Sequence, residues 1–485
     1  GGPLSEAQLQ RLGALFDELG GAFPKSFAVA RLPLNYLSGG RFRAAADGYV
    51  RSFLRRGVPS LFVNLRPLYR DEEKGAILGG LMTGYLEALQ AGQRLTPRVD
   101  SGEDEGEEPP SAVVWVRLYL SQHCRLLGDL EAALAHVDAA LAHTPTVIEL
   151  YQEKASVMAA LGDPAGAAYL ADHARQLDLA DRFLNCECVR YMLRAGQTEE
   201  AEKTVALFTK DGEQLNNLFD MQAMWYEIES GEAFLKAGQL GRALKQFHAV
   251  FKHFEDIHED QFDFHSYCLR KMTLGTYISM LRMEDGLYEH EFFRLACVGA
   301  SRCYLRVADN PPKTEEEERR DEEAMLATMT SAERKKYKAK KRKEEARKQR
   351  EAEEKAKAEG AKGGKGKGLG LREDDDPLGE KLLKVADPLG EAAKLLARLA
   401  KNREQYAEPH TVAATVAMRR GKLLQALRAV EKALQLEPSS PEAHVAAVQL
   451  HLRLQETPAP GHAVAQRVLR DRMGRLMGGQ PPEAF

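Results

Sequence analysis

Apolar residues recur at the spacing of an α-helix along most of the chain. In one clear stretch, Leu120 and Cys124 precede Gly128, and Ala133 and Val137 follow it at helical intervals. Few stretches alternate apolar and polar residues, and runs of β-branched residues are scarce. The pattern therefore predicts an all-α protein built from short amphipathic helices.

The glycines between these helices repeat with a fixed period. Gly128, Gly162 and Gly196 are equally spaced, and each is followed at the fifth position by an alanine: Ala133, Ala167 and Ala201. Their period of about 34 residues is that of a tetratricopeptide unit, a pair of helices joined by a short turn. In such a unit the glycine ends the first helix, and the small alanine lets the two helices approach closely.

The same frame is predicted around Gly40, Gly238 and Gly421. Each unit buries its apolar face only against neighbouring units, so stacked pairs present a long concave groove. We therefore predict a tetratricopeptide-type helix-pair superhelix, an α-solenoid, interrupted by a charged, lysine-rich helix or linker. The alternative is an amphipathic all-α bundle in which glycines fall between helices without a common register.

Prolines and runs of charge divide the chain into five predicted segments. They are N-terminal helical repeats at 1–100, an acidic loop at 101–110, a tetratricopeptide array at 111–310, a charged basic helix or linker at 311–376, and C-terminal helical repeats at 377–485. The chain begins with Gly1 rather than Met, and we expect it to be a piece, or a processed product, of something longer.

Charge is unevenly distributed. Residues 331–372 hold 17 Lys and Arg against 7 Asp and Glu, a net +10, whereas the whole chain carries −4 and the remainder therefore −14. The basic segment has three interpretations: a solvated linker, a surface that neutralises RNA phosphates, or a nuclear-import signal. The clusters behind the last two are Arg334, Lys335, Lys336, Lys340, Lys341, Arg342 and Lys343.

Motifs that carry reaction chemistry are not recognisable. The sequence has no phosphate-binding P-loop, no H-E-x-x-H, no G-x-S-x-G, and none of the glycine turns that bind acetyl-coenzyme A in acetyltransferases. The histidines between His253 and Cys268 are irregularly spaced, and we expect His248 and His253 to lie on helix surfaces. No apolar run approaches the roughly 18 residues of a membrane span. We expect no enzyme activity, no cofactor of its own, no metal and no membrane contact.

A positive cluster is predicted on one repeat helix. Arg190 and Arg194 are four positions apart and share a helix face, Tyr191 is adjacent, and Lys210 closes the unit. This is either a solvated basic face or a pocket in which several cations converge on phosphates.

Five stretches of sequence resemble one known family. They are Arg31 to Ala45 (RLPLNYLSGGRFRAA), Val63 to Tyr69 (VNLRPLY), Asp178 to Gly196, Asp260 to Leu274 (DQFDFHSYCLRKMTL) and the lysine-rich stretch after Asn310. Together, and in this order, they resemble the auxiliary subunit of the NatA N-terminal acetyltransferase over essentially the whole chain.

That resemblance implies a function and a set of partners. The family's subunit is a tetratricopeptide superhelix that wraps a catalytic Gcn5-related acetyltransferase subunit, which alone binds acetyl-CoA, and shapes its choice of nascent chains. It also anchors the complex on the ribosome and binds inositol hexakisphosphate and a small inhibitor, huntingtin-interacting protein K. The resemblance implies an inositol phosphate site at Arg190, Tyr191, Arg194 and Lys210, although Glu187 and Leu207 stand where lysines are expected.

The resemblance also implies further repeats before Gly1 and further helices after Phe485 in the family's subunit. It implies a cytoplasmic, ribosome-associated protein with a nuclear pool. Two rival hypotheses remain: a tetratricopeptide adaptor that binds RNA or ribosomes through residues 331–372 without an acetyltransferase partner, and, more remotely, an enzyme in its own right.

Overall fold

Helices and turns make up the part of the chain that the structure, a computed structural model, describes; no strand occurs there. The described residues are 5–95, 109–209, 214–259, 265, 268, 270–271, 274–312, 315–330, 334–337, 376–400, 405–456 and 462–478. The chain forms two compact units, Gly1–Phe208 and Thr209–Phe485. The all-α fold predicted from the sequence is confirmed.

The first unit is a succession of helices and two short 3-10 turns. The α-helices are α1 (Glu6–Ala22), α2 (Phe27–Arg31), α3 (Gly39–Arg56), α4 (Leu61–Leu65), α5 (Glu72–Gln90), α6 (Ala112–Leu127), α7 (Leu130–His143), α8 (Ile148–Ala160), α9 (Pro164–Leu177), α10 (Arg182–Arg194) and α11 (Thr198–Ala206). The 3-10 turns are Leu32–Asn35 and Arg66–Arg70.

The second unit continues with helices of 4 to 20 residues. They are α12 (Gln214–Asp220), α13 (Met224–Lys236), α14 (Leu240–Glu259), α15 (Leu274–Asp285), α16 (Glu291–Asp309), α17 (Glu315–Thr328), α18 (Glu380–Leu383), α19 (Pro388–Ala400), α20 (Ala407–Arg419), α21 (Leu423–Leu436), α22 (Pro441–Glu456) and α23 (Ala463–Leu476), with a 3-10 turn at Leu287–Glu289.

The glycine–alanine repeat has the predicted geometry. Gly128, Gly162 and Gly196 all adopt left-handed backbone angles, with φ of +87°, +85° and +79°. Each donates its N–H to the end of the preceding helix, and the alanines at the fifth position after them are fully buried. The pairs α6–α7, α8–α9 and α10–α11 are therefore tetratricopeptide-type units, because glycine tolerates the left-handed turn and alanine fills the helix crossing.

The frame extends to two of the three further positions. Gly238 and Gly421 have φ of +76° and +70°, and the corresponding alanines, Ala243 and Ala426, are fully buried. The prediction at Gly40 was wrong. Gly40 is the second residue of α3, so it follows the turn at residues 36–38 and does not have the left-handed angle of the other repeat glycines. α2 and a proline-containing 3-10 turn precede α3 in place of a full first helix.

The stretch Arg31 to Ala45 makes polar contacts with Lys74 on α5 and with Asn64 in the stretch Val63 to Tyr69. Lys74 is only 7% exposed, and its Nζ donates to the carbonyls of Leu34 and Asn35 at 3.0 Å each. Arg31 donates from Nε to Oδ1 of Asn64 at 2.8 Å. Lys74 thus donates hydrogen bonds to two carbonyls at the end of the 3-10 turn Leu32–Asn35, where the last carbonyls lack a partner within the helix.

In the second unit, the lysine-rich stretch interrupts a packed pair of helices. α16 and α19 pack against each other although the whole of that stretch separates them in the sequence, and Ser301 Oγ lies 3.4 Å from the carbonyl of Ala392. At the downstream end of the stretch, Lys245 Nζ donates to the Asp376 carbonyl at 2.9 Å. Both ends of the interruption are therefore fixed to one hydrophobic core.

Candidate protein-binding groove

A groove of about 420 Å³ lies on the first unit, where the first helices of successive pairs stand side by side. α4, α6, α8 and α10 line it together with two alanines of α9. Its principal polar and exposed side chains are Val63, Gln122, Arg125, Glu149, Gln152, Glu153, Ser156, Phe183, Glu187 and Tyr191. The first helices face the groove because their apolar faces pack on the second helices behind them.

A buried ion pair forms the floor of the groove. Arg125 donates from Nε and Nη2 to the two carboxylate oxygens of Glu153 at 2.8 and 3.0 Å, joining α6 to α8. The Glu153 side chain is 4% exposed. Burial raises the pKa of Glu153, whereas the hydrogen bonds from Arg125 act in the opposite direction. The pair fixes two neighbouring repeats in register.

A second polar link joins α8 to α10. The Tyr191 hydroxyl lies 3.0 Å from Ser156 Oγ, so this tyrosine is held at the groove wall. Above these links, Val63 is 66% exposed and Phe183 is 62% exposed. Exposed apolar side chains over a rigid polar floor are typical of a surface that binds another protein.

One residue of the predicted polyanion cluster, Tyr191, lines this groove. Arg190, Tyr191 and Arg194 share α10, and Arg194 is exposed. Arg190 Nη1 forms an ion pair of 2.8 Å with Glu187, which offsets part of the positive charge. Lys210 lies outside the described residues. The inositol phosphate site stays a prediction.

The basic clusters are only partly within the described chain. Arg334, Lys335 and Lys336 belong to a short helical stretch at 334–337 and are exposed. Lys340, Lys341, Arg342 and Lys343 lie outside the described residues. The ribosome, RNA and nuclear-import interpretations stay predictions, as do the five segment boundaries and the localisation.

His253 and Cys188 are buried, and each lies beside a carboxylate. His253 is buried rather than at a helix surface, with Nε2 at 2.8 Å from Glu227 Oε1, so that expectation was wrong: His253 lies on the core side of α14. Burial raises the pKa of the Cys188 thiol to about 12. No set of residues that could hold a metal occurs in the described part of the chain. None of its helices is long and apolar enough to cross a bilayer.

Among the groove-lining residues, sequence reasoning proposed only Tyr191 as a site residue, yet the repeat frame holds a signal for others. Glu149 and Phe183 stand at the same distance in sequence before the glycines of their units, Gly162 and Gly196. Glu153 and Glu187 likewise share one position of the frame. Residues at equal positions in stacked units line one surface, so comparing positions rather than motifs would have indicated this groove.

Comparison with known proteins identifies the family. The family profile described as "N-terminal acetyltransferase A, auxiliary subunit" matches residues 3–433. The auxiliary subunit NAA15 of the N-terminal acetyltransferase A complex of Arabidopsis thaliana is 44% identical over 460 residues, which cover 95% of this chain and 50% of that protein. The human N-alpha-acetyltransferase 16, NatA auxiliary subunit, is 41% identical over 437 residues, covering 89% of this chain and 50% of that protein.

A solved structure supports the same assignment. The structure of Naa15/Naa10 bound to HypK-THB has a TM-score of 0.70 and 30% identity, covering 97% of this chain and 60% of that chain. This chain thus spans about half the length of the curated relatives it matches. The family resemblance predicted from the sequence is confirmed: the chain belongs to the family of N-terminal acetyltransferase A auxiliary subunits.

Proposed function

We propose that this chain is a non-catalytic scaffold that holds the catalytic subunit of an N-terminal acetyltransferase and shapes its choice of substrate. The observation that carries the proposal is the 44% identity to an auxiliary subunit over 95% of the chain. In this assignment acetyl-CoA is bound by the catalytic subunit, and the scaffold contributes no reacting group and no cofactor.

The groove supports this role physically. Its floor is held by side-chain links between α6, α8 and α10, so a partner meets a surface that needs little ordering on binding. Because ordering side chains and loops weakens association, a preformed groove retains more of the contact free energy as affinity. The relative Naa15 is seen with Naa10 and HypK-THB, and we propose an acetyltransferase subunit and a HypK-like inhibitor as partners here.

Co-expression with a Naa10-type catalytic subunit tests the proposal. We expect the two chains to co-purify as a stable complex, and the complex to acetylate peptides that begin with Ser or Ala. The catalytic subunit alone should acetylate these peptides more slowly, and this chain alone should transfer no acetyl group. Recovery of the two proteins as separate species, or acetyl transfer by this chain alone, would show the scaffold role to be wrong.

We further propose that residues 331–372 anchor the complex to ribosomes in the cytoplasm, with a nuclear pool drawn by the same basic clusters. The supporting observation is the net charge of +10, since cations that neutralise phosphates give binding that weakens with salt. Removing 331–372 should abolish salt-sensitive sedimentation with ribosomes while peptide acetylation by the complex stays unchanged. Loss of both activities together would contradict this division.

The second candidate function is an RNA-binding adaptor with no acetyltransferase partner, and the same charge favours it. The two candidates differ in one measurement. An adaptor would sediment with ribosomes through 331–372 yet recover no catalytic subunit in the co-purification described above.

Inositol hexakisphosphate is the proposed structural ligand at Arg190, Tyr191 and Arg194, together with Lys210. The compound should raise the melting temperature of the complex, and the double substitution R190E/R194E should remove that rise. R43E changes an exposed arginine elsewhere on the first unit and is the control. Equal stabilisation of R190E/R194E and the parent would show that the ligand binds elsewhere.

A further inference from the structure

We infer that the groove on the first unit binds one short segment of the catalytic subunit, in which a Lys or Arg lies between two apolar residues. This inference rests on the proposed function and adds to it the chemistry of the segment. Three features carry it: the charge of Glu149 on α8, the apolar side chains on α4 and α10, and the distance between them.

The charges that line the groove cancel except at one residue. Arg125 pairs with Glu153 on the floor, and Glu187 pairs with Arg190 at the edge. Glu149 has no ion-pair partner in the described part of the chain, is half-buried, and faces the groove from α8. A cation on the bound segment is the natural complement of this carboxylate, since a like charge there would be repelled at short range.

Glu149 lies in the first turn of α8. The partial positive charge of a helix N-terminus offsets part of a carboxylate charge placed there. The attraction of Glu149 for a cation is therefore moderate. We expect loss of this attraction to raise the dissociation constant by about tenfold rather than a thousandfold.

Two exposed apolar side chains mark the ends of the groove. Val63 on α4 stands beside α6, and Phe183 stands at the start of α10, each more than three-fifths exposed. Burying an exposed Phe or Val side chain against a partner removes apolar surface from water, which typically stabilises an interface by about 1.5–3 kcal/mol per side chain. The segment should therefore place one apolar side chain against each of them.

Helix spacing sets the length of the segment. Packed helices lie about 8–10 Å apart, so the three steps from α4 to α6, from α6 to α8 and from α8 to α10 span about 24–30 Å. An extended chain rises about 3.3 Å per residue. The apolar residues of the segment should accordingly be about seven to nine positions apart, with the cation opposite Glu149, nearer to the residue that contacts Phe183 than to the one that contacts Val63.

Calorimetric titration of a purified Naa10-type catalytic subunit into this chain tests the inference. E149K and F183A should each weaken binding about tenfold, and E149Q should bind with a smaller dependence on salt than the parent. E131K is the matched control, because Glu131 is the second residue of α7 as Glu149 is of α8, but lies outside the groove. Y169A controls for loss of an exposed aromatic ring on α9. Both controls should bind like the parent.

Hydrogen exchange of the complex provides an independent readout. Complex formation should protect amides in the first turns of α8 and α10, and F183A should lose that protection while keeping the parent melting temperature. If the parent binds the catalytic subunit but E149K and F183A match their controls without protection of the groove, the inference is wrong and the scaffold role stands. If the parent chain does not bind the catalytic subunit at all, the scaffold role and this inference both fall.

Discussion

The packing of Phe247 between two glycines makes a strong prediction about stability. Phe247 on α14 is fully buried, and its ring lies between Gly231 on α13 and Gly299 on α16. A Cβ added at Gly299 would lie 2.3 Å from Cζ of the ring, and one added at Gly231 would lie 2.8 Å from Cε1. We predict that Gly299→Ala destabilises the second unit, although alanine is the better helix former.

Two opposing free-energy contributions decide whether Gly299→Ala stabilises or destabilises the second unit. Replacing a glycine inside a helix by alanine normally stabilises a protein by about 1 kcal/mol. Overpacking a dense core costs about 1–3 kcal/mol. At 2.3 Å the ring would have to move by at least about 1.2 Å to reach an ordinary contact of about 3.5 Å, and the same edge of the ring also lies close to Gly231 on α13. The cost should lie at the upper end of that range, leaving a net loss of about 2 kcal/mol.

The chain has two tryptophans, which permits a specific assay. Trp115 lies on α6 in the first unit and Trp225 on α13 in the second. In a W115F background, urea unfolding followed by the fluorescence of Trp225 reports the free energy of unfolding of the second unit. Gly474→Ala is the control, because Gly474 is also helical but has open space around it, and should stabilise by up to about 1 kcal/mol. A Gly299→Ala variant as stable as the parent would refute the reasoning.

Three further predictions follow from buried polar groups and from the interrupted helix pair. Burial lowers the pKa of His123 and His248 below 6.5, so the unfolded chain binds more protons than the folded one below about pH 6.5, and the free energy of unfolding should fall there. Urea unfolding at pH 7.5 and 5.5 should show this fall, and the fall should be smaller in His248→Gln. An equal fall in the parent and in His248→Gln would contradict the prediction. Lys74→Met removes the ammonium that donates to the carbonyls of Leu34 and Asn35, and should lower the free energy of unfolding by about 2–3 kcal/mol in urea titrations. A change below about 0.5 kcal/mol would contradict this prediction. Replacing residues 331–372 by a short Gly-Ser linker should leave the free energy of unfolding reported by Trp225 within about 1 kcal/mol of the parent value. Loss of the unfolding transition would show that the segment supports the core.

The repeat could be predicted from the sequence because it is imposed by local backbone chemistry. Only glycine readily adopts the left-handed angle found at Gly128, Gly162 and Gly196, and only a small residue fits the crossing five positions later. Such constraints leave the same residue type at the same spacing in every unit. The N-terminal frame at Gly40 failed because a glycine inside a helix looks the same in sequence as a glycine between helices.

The groove could not be predicted in the same way because its chemistry lies between helices. Arg125 and Glu153 belong to different repeats and meet only because α6 and α8 stack. His253 was assigned to the surface because an ionisable side chain is usually exposed. Its partner Glu227 lies on α13, and nothing near His253 in the sequence indicates that pairing. Which side chains pair across two helices depends on packing, and the residues next to each partner in the sequence do not indicate it.

The strongly basic stretch lies between two helices that pack together, in a protein whose remaining residues carry a net charge of −14. α16 and α19 share one core, and the chain between Asn310 and Asp376 leaves and re-enters that core at fixed points. Closing a longer loop costs little, since each doubling of its length adds only about 0.6 kcal/mol. The length and charge of this stretch can therefore change with little effect on the packing of the helices. If the lysines and arginines of this stretch are needed for function, the reason should be what the stretch binds and not how the second unit folds.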